Sequence, residues 1–308
     1  MRKAGLNAIF ELAKNNEDVV FIGSDLGVDT LKEFKSLLPS QFFMEGVSEG
    51  HMVGMAAGMA HAGATVYINT IATFLTRRAL DQIVVNLCLD NAKVRLYGNG
   101  GGLVYGPLGA THTALEDLSL LSALPNMTIL APSDSVEMTD LIKESKDYPG
   151  PIYIRLGKGG EEILSSPGLA KIGKAVLDMH PDSKCKILIC TTGVMRQRAV
   201  KVRELLEKDS IYIDIHHHHT IKPLDKSEIL AQAPKYETII TLEENVPNGG
   251  LGQQIACMLL ENNISPKKFY RFTLPDKFPE EYARQEEMFL TLGLDPESIA
   301  SKIRELHA

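Results

Sequence analysis

An excess of positive charge is missing from this 308-residue sequence: 32 Lys and Arg stand against 39 Asp and Glu, a formal net charge of −7. That balance argues against a surface built to neutralise phosphate backbones or anionic lipid. Long apolar runs are missing too. The longest weakly polar one, residues 52–60, is far too short to cross a bilayer, and residues 1–20 hold no apolar stretch of the signal-peptide kind. Neither export nor anchoring is implied, and a cytoplasmic location is expected. Cysteine is scarce and unpaired: Cys88, Cys185, Cys190 and Cys257 lie far apart, none in a C-x-x-C pair, and read as reduced core thiols. The common phosphate-binding signatures fail as well. Nothing matches G-x-x-x-x-G-K-[ST], and Gly98-Asn99-Gly100-Gly101-Gly102-Leu103 lacks the third glycine of G-x-G-x-x-G and opens no helix. That glycine cluster reads instead as backbone that lets a ligand or a neighbouring subunit come close.

What is present suits two globular domains. Hydrophobic residues make up 44% and charged residues 23%, enough for real cores, and the length exceeds what one core usually holds. Short apolar runs alternate with helical periodicity, the signature of α/β domains with parallel sheets. Strands are predicted over 19–23, 42–45, 65–70, 94–99, 127–131 and 152–155, with helices over 2–15, 49–62, 73–90 and 134–146. A second series has strands over 186–191, 211–215 and 237–242 and helices over 196–208, 225–232 and 250–262. The Gly- and Ser-rich stretch between them reads as a linker, dividing the chain into domains 1–157 and 173–308 joined by 158–172. The run His216 to His219 lies before Thr220-Ile221-Lys222-Pro223-Leu224-Asp225 and reads as native loop rather than a tag. Adjacent residues in an extended segment point to opposite faces, so the four imidazoles cannot share one ion, although adventitious nickel or zinc binding is plausible.

The candidate chemistry centres on Glu49. It follows a strand and opens a helix rich in small residues (Gly50, Gly54, Ala56, Ala57, Gly58, Ala60), so a tightly buried position is expected. A carboxylate in a first helical turn is commonly there for the backbone dipole alone. Gly46-Val47-Ser48-Glu49-Gly50 also matches G-x-S-x-G, but that motif needs an acid and a histidine in order downstream, and an equally good acid sits inside it.

Three stretches in series shift the balance: Glu45-Gly46-Val47-Ser48-Glu49-Gly50-His51, then Thr73-Phe74-Leu75-Thr76-Arg77-Arg78-Ala79-Leu80-Asp81-Gln82, then Tyr105-Gly106-Pro107-Leu108-Gly109-Ala110-Thr111-His112. Together with Asp117-Leu118-Ser119, Pro125-Asn126-Met127, Ala131-Pro132-Ser133-Asp134 and Ile152-Tyr153-Ile154-Arg155, their order and spacing resemble the pyrimidine-binding domain of the transketolase and deoxyxylulose-phosphate synthase family. Thr220-Ile221-Lys222-Pro223-Leu224-Asp225 and Glu243-Glu244-Asn245 to Gly249-Gly250-Leu251-Gly252 resemble that family's carboxy-terminal domain. The resemblance implies thiamine diphosphate as cofactor. Glu49 would hydrogen-bond a ring nitrogen of its aminopyrimidine and so switch on the cofactor, a task that requires a group able to give and take a proton. Phe74 would stack on the pyrimidine, Asp25 would stand near the thiazolium, and Arg77 would be a further cofactor contact. His112 would be a substrate-contacting acid or base, with Arg155 and Lys158 also contacting substrate. Glu243 and Glu244 would be interface or surface acids.

The family holds the cofactor diphosphate through Mg²⁺ on a separate domain with a Gly-Asp-Gly signature, and no Gly-Asp-Gly occurs here. The resemblance therefore implies the β subunit of a split transketolase, moving a two-carbon ketol unit from a ketose to an aldehyde. An obligate α partner would carry the diphosphate and metal, and β–β contact would build an α₂β₂ assembly. Where the family commonly has an acid before the loop glycine this chain has Leu108, where transketolases often have a phosphate-contacting histidine it has Gly100, where they have a phosphate arginine it has Lys158, and Gly50 replaces a glutamine. Two alternatives follow: a pyruvate-using carboligase or 2-oxo acid dehydrogenase β subunit, and a non-catalytic partner of another thiamine enzyme.

Overall fold

Near-continuous runs of valine, isoleucine and leucine suit strands covered on both faces, which is the condition of a parallel sheet. The computed structural model describes residues 1–24, 28–181 and 185–307 and shows two mostly parallel sheets packed with helices, the expected fold class. The first half supplies β1 (Val19–Gly23), β2 (Phe42–Met44), β3 (Thr65–Ile71), β4 (Val94–Asn99), β5 (Thr128–Leu130) and β6 (Ile152–Arg155). The second supplies β7 (Val176–Asp178), β8 (Ile187–Thr191), β9 (Ile213–His217), β10 (Thr220–Lys222), β11 (Thr238–Leu242) and β12 (Lys268–Phe272).

The sheet of the first half runs β10-β5-β6-β4-β3-β1-β2, so one strand of the second half completes it, antiparallel to β5. The other sheet runs β12-β11-β8-β9-β7. This strand exchange welds the halves: Ile221 of β10 shares one apolar cluster with Cys88, Ile129, Tyr236 and Leu251. The connection between the halves is not a free tether either. Leu164 and Ser165 donate their backbone N–H groups to Asp134, and Ile172 donates to Glu144, so the acidic side of the helix Ser135–Ser145 and its cap pin it.

Several elements differ from expectation. The strands β7, β10 and β12 and the helices Val28–Leu37, Asp117–Ser122, Gln285–Thr291 and Pro296–His307 add to the predicted set. β7 and β10 are only three residues long, and β12 is a half-exposed edge strand, so none of them carries a readable period of two. The helix expected over 73–90 breaks after Arg78. Ala72–Arg78 is α-helical, Leu80–Gln82 begins a new turn, and Ile83–Cys88 widens into a π-helical turn.

The histidine run is not an open loop. His216 and His217 end β9, and all four imidazoles are buried, which removes them from any metal in solvent. They do alternate, with His216 near His218 and His217 near His219 at ring-centroid distances of 6.5 and 6.0 Å. Among the described residues no three His, Cys, Asp or Glu side chains are grouped to hold a metal ion. Nε2 of His217 lies 2.9 Å from Oε2 of Glu137 in the other half, so the run is part of the seam between halves. Cys88 and Cys190 are buried as expected, but Cys257 is exposed on the outer side of the helix Leu251–Glu261. Among the described residues no helix is long and apolar enough to cross a membrane.

Candidate active site

β2 ends at Met44, and Gly46, at φ 67°, lets the chain turn before Ser48 caps the helix Glu49–His61. Glu49 is thus the first residue of a helix at the carboxyl end of a parallel sheet, where the backbone dipole favours its negative charge. Only 3% of it is exposed. The next crossover, after β3, brings the helix Ala72–Arg78 beside it. Nη1 of Arg78 stands 3.4 Å from Oε2 of Glu49, and the same guanidinium lies 4.0 Å above the ring centre of Phe74. Phe74 in turn meets His112 edge-on, with centroids 5.0 Å apart and an interplanar angle of 66°. His112 keeps its Nδ1 2.9 Å from Oγ1 of Thr111.

The structure therefore brings Glu49, Phe74 and His112 into one chain of contacts, with Arg78 as the member that sequence reasoning passed over. Residues 74 and 78 are four apart on a helix and so share a face, a signal that favours Arg78 over its neighbour. Arg77 points elsewhere. It forms a two-pronged ion pair with Glu116 and donates to the carbonyls of Ala110 and Thr113 at 3.3 and 3.0 Å. Its role here is to clamp the loop that carries His112, and the ring of Phe278 lies 5.5 Å from its guanidinium carbon.

The remaining candidates lie apart from this group. Asp25 falls outside the described residues. Arg155 is buried at the end of β6, with Nη2 3.1 Å from Oδ1 of Asp117 and 3.1 Å from the Ala114 carbonyl. Burial works against its charge, and Asp117 followed by Glu244 more than offsets it, so its pKa is raised. Lys158 is exposed and lines a cleft of about 130 Å³ with Gln197, Arg198, Gln285 and Glu286.

Side chains of the same chain crowd the glycine cluster. A Cβ on Gly100, whose φ is 73°, would run into the ring of Tyr105, and one on Gly102, at φ 63°, into the carboxyl of Glu244. The close approach expected of a ligand or a neighbouring subunit is made here by internal packing. Leu108 is 52% exposed on the short turn Gly106–Leu108. A Cβ on Gly50 would lie 3.4 Å from Oε1 of Gln82, which already fills that side.

Glu243 and Glu244 are not surface acids; both are buried. Glu243 accepts the N–H groups of Leu251 and Gly252, both at 2.8 Å, and burial pushes its carboxyl up to about 7. Glu244 accepts from the Leu103 N–H and from the Gln285 side chain, each at 2.7 Å, and burial raises its pKa too. Leu103 begins the loop that leads to His112, so Glu244 latches the second half onto the site's supporting backbone.

A parallel-sheet pair with a carboxylate, an aromatic ring and an imidazole converging near the strand ends is a ligand-binding architecture. The family model described as transketolase, pyrimidine binding domain, matches residues 1–160, and that of the transketolase C-terminal domain matches residues 173–299. The chain belongs to the transketolase family. It is 32% identical over 309 residues to one subunit of an apulose-4-phosphate transketolase from Phocaeicola vulgatus, covering 99% of this chain and 96% of that protein. It is 33% identical over 303 residues to a 1-deoxy-D-xylulose-5-phosphate synthase 2 from Geobacter sulfurreducens, covering 98% of this chain and 48% of that one. Among solved structures, a split gene transketolase in an inactive β4 tetramer matches with a TM-score of 0.87 at 27% identity, over 99% of this chain and 96% of the other.

Proposed function

We propose that this chain is the half of a two-chain, thiamine-diphosphate-dependent transketolase-like enzyme that receives the cofactor's aminopyrimidine and transfers a two-carbon ketol unit to an aldehyde. The observation that carries the proposal is the contact chain from Glu49 through Arg78 and Phe74 to His112. These groups fit the cofactor. An aminopyrimidine is a flat ring with nitrogens at its edge, which a buried carboxylate can hydrogen-bond while an aromatic side chain takes a face.

When bound, thiamine diphosphate supplies the electron sink that lets a carbon–carbon bond beside a carbonyl break and re-form. The chain's own residues bind and move protons. Glu49, shielded from bulk water, holds or releases a proton at its carboxylate against the ring nitrogen, which an amide there could not do. His112, with Nδ1 turned to Thr111, presents Nε2 to a substrate oxygen as acid or base. Arg77 and Glu116 keep the His112 loop in place, and Glu244 holds its origin at Leu103.

The apulose-4-phosphate transketolase and split-gene relatives support a partner chain that binds the diphosphate and Mg²⁺ through a Gly-Asp-Gly signature, and an α₂β₂ assembly. A second reading is favoured by the 33% identity to a deoxyxylulose-phosphate synthase and by exposed Leu108 in place of an acid: carboligation using pyruvate. Reconstitution with the partner separates the two. Ketol transfer from a ketose to an aldehyde without CO₂ release is the expected result; CO₂ release from pyruvate without ketol transfer would establish the second reading instead.

A further inference from the structure

We infer that Arg78 is a placeholder for the cofactor's aminopyrimidine, occupying in the free chain both contacts that the ring would make and leaving them when the ring arrives. The inference rests on the reading that the aminopyrimidine meets Glu49 and Phe74. Arg78 satisfies those two groups at once, with its Nη1 3.4 Å from Oε2 of Glu49 and its guanidinium carbon 4.0 Å from the Phe74 ring centre. A planar guanidinium offers what an aminopyrimidine offers: N–H donors along its edge for a carboxylate and a flat π-face for an aromatic ring. The side chain of Glu49 is only 3% exposed, so leaving it without a partner would carry the cost of an uncompensated buried charge. Arg78 removes that cost before the cofactor is present.

Arg78 is also free to leave. Its side chain is 51% exposed at the last residue of the helix Ala72–Arg78, and its long stem can carry the charge into water. The adjacent arginine cannot take this part, because Glu116 and two loop carbonyls hold Arg77. Departure of Arg78 exchanges one partner of Glu49 for another without leaving the carboxylate bare, and cofactor affinity is set by the difference between the two partners. An ordinary binding residue weakens binding when removed; a placeholder strengthens it.

The test is calorimetric titration of thiamine diphosphate with Mg²⁺ into the complex of this chain and its diphosphate-binding partner, comparing the parent with Arg78→Ala and Arg78→Lys. Removing one exposed ion pair and one exposed cation–π contact is expected to lower the cofactor Kd about three- to thirtyfold in Arg78→Ala, with Arg78→Lys between it and the parent. In a second readout, ¹⁵N–¹H spectra of the free chain should show the Arg78 side-chain signal displaced by the Phe74 ring current. That displacement should vanish on cofactor loading while the Arg77 signal stays. A Kd in Arg78→Ala that is unchanged or raised, or an Arg78 signal that loading leaves in place, overturns the placeholder role while the cofactor reading stands. Absence of cofactor binding by the parent complex overturns both.

Discussion

The buried histidine run makes stability depend on pH through one residue that can be isolated. His218 is 1% exposed, and neither of its ring nitrogens has a hydrogen-bond partner. Burial, reinforced by His216, His217 and His219, holds its pKa down at about 3, against 6.5 for an ordinary imidazole, and Asp225 counteracts this only in part. A folded-state pKa below the unfolded one means that the unfolded chain takes up a proton the folded chain refuses. The stability that neutral His218 contributes is therefore complete above about pH 6.5 and is lost as the pH falls toward the folded value. For this one group the loss between about pH 7.5 and pH 5 is about 2 kcal/mol. The perturbation is His218→Leu, which keeps an apolar body of similar size and removes both nitrogens. Urea unfolding at a series of pH values gives the stability of each protein. His216 and His219, also held down at about 4 by burial, and Glu243, pushed up to about 7, remain in both proteins and cancel in the comparison. The difference between variant and parent should grow in the variant's favour by about 2 kcal/mol from about pH 7.5 to pH 5. A difference that stays constant across that range would refute the burial of a neutral imidazole at this seam.

Glu244→Ala leaves the Leu103 N–H without its acceptor and takes one acid from beside Arg155, so unfolding at neutral pH should cost about 3 kcal/mol less; a loss under about 1 kcal/mol would contradict the latch. Gly100→His forces a side chain onto a left-handed backbone and into Tyr105, and it should destabilise by about 2 kcal/mol or more. Part of that loss should return in the Tyr105→Ala background, which a double-mutant cycle measures. A thiol reagent at neutral pH should label exposed Cys257 rapidly, whereas Cys88 and Cys190, buried and pushed up to about 11 and about 12, should react only on unfolding.

The central strands were legible in the sequence because a strand buried on both faces is written as a continuous apolar run, as in Val19–Gly23 and Ile187–Thr191. β10 was not, since its three residues gain a partner only through β5, some ninety positions earlier in the chain. The histidines looked like loop for a similar reason: what buries them is the packing of one half on the other, including the contact of His217 with Glu137. At the site, Glu49 and Phe74 stand in local motifs whose order survives in one dimension. Whether Arg77 or Arg78 faces them is decided by Glu116, which reaches Arg77 across the fold and leaves Arg78 to Glu49. Glu243 and Glu244 read as exposed because acidic pairs usually are, and only the helix start at Leu251 and the loop at Leu103 show why these two are inside.

Most directly decisive is the turnover of the reconstituted two-chain enzyme carrying Glu49→Gln, an isosteric change that keeps the helix start and removes only the exchangeable proton and the charge. If Glu49 activates the cofactor, kcat should fall about ten- to hundredfold, the loss of at least one charge-assisted hydrogen bond, while the urea midpoint of the chain stays within the range of a surface substitution. Undiminished kcat in Glu49→Gln would contradict the account and make this chain a supporting partner rather than the bearer of the activating acid.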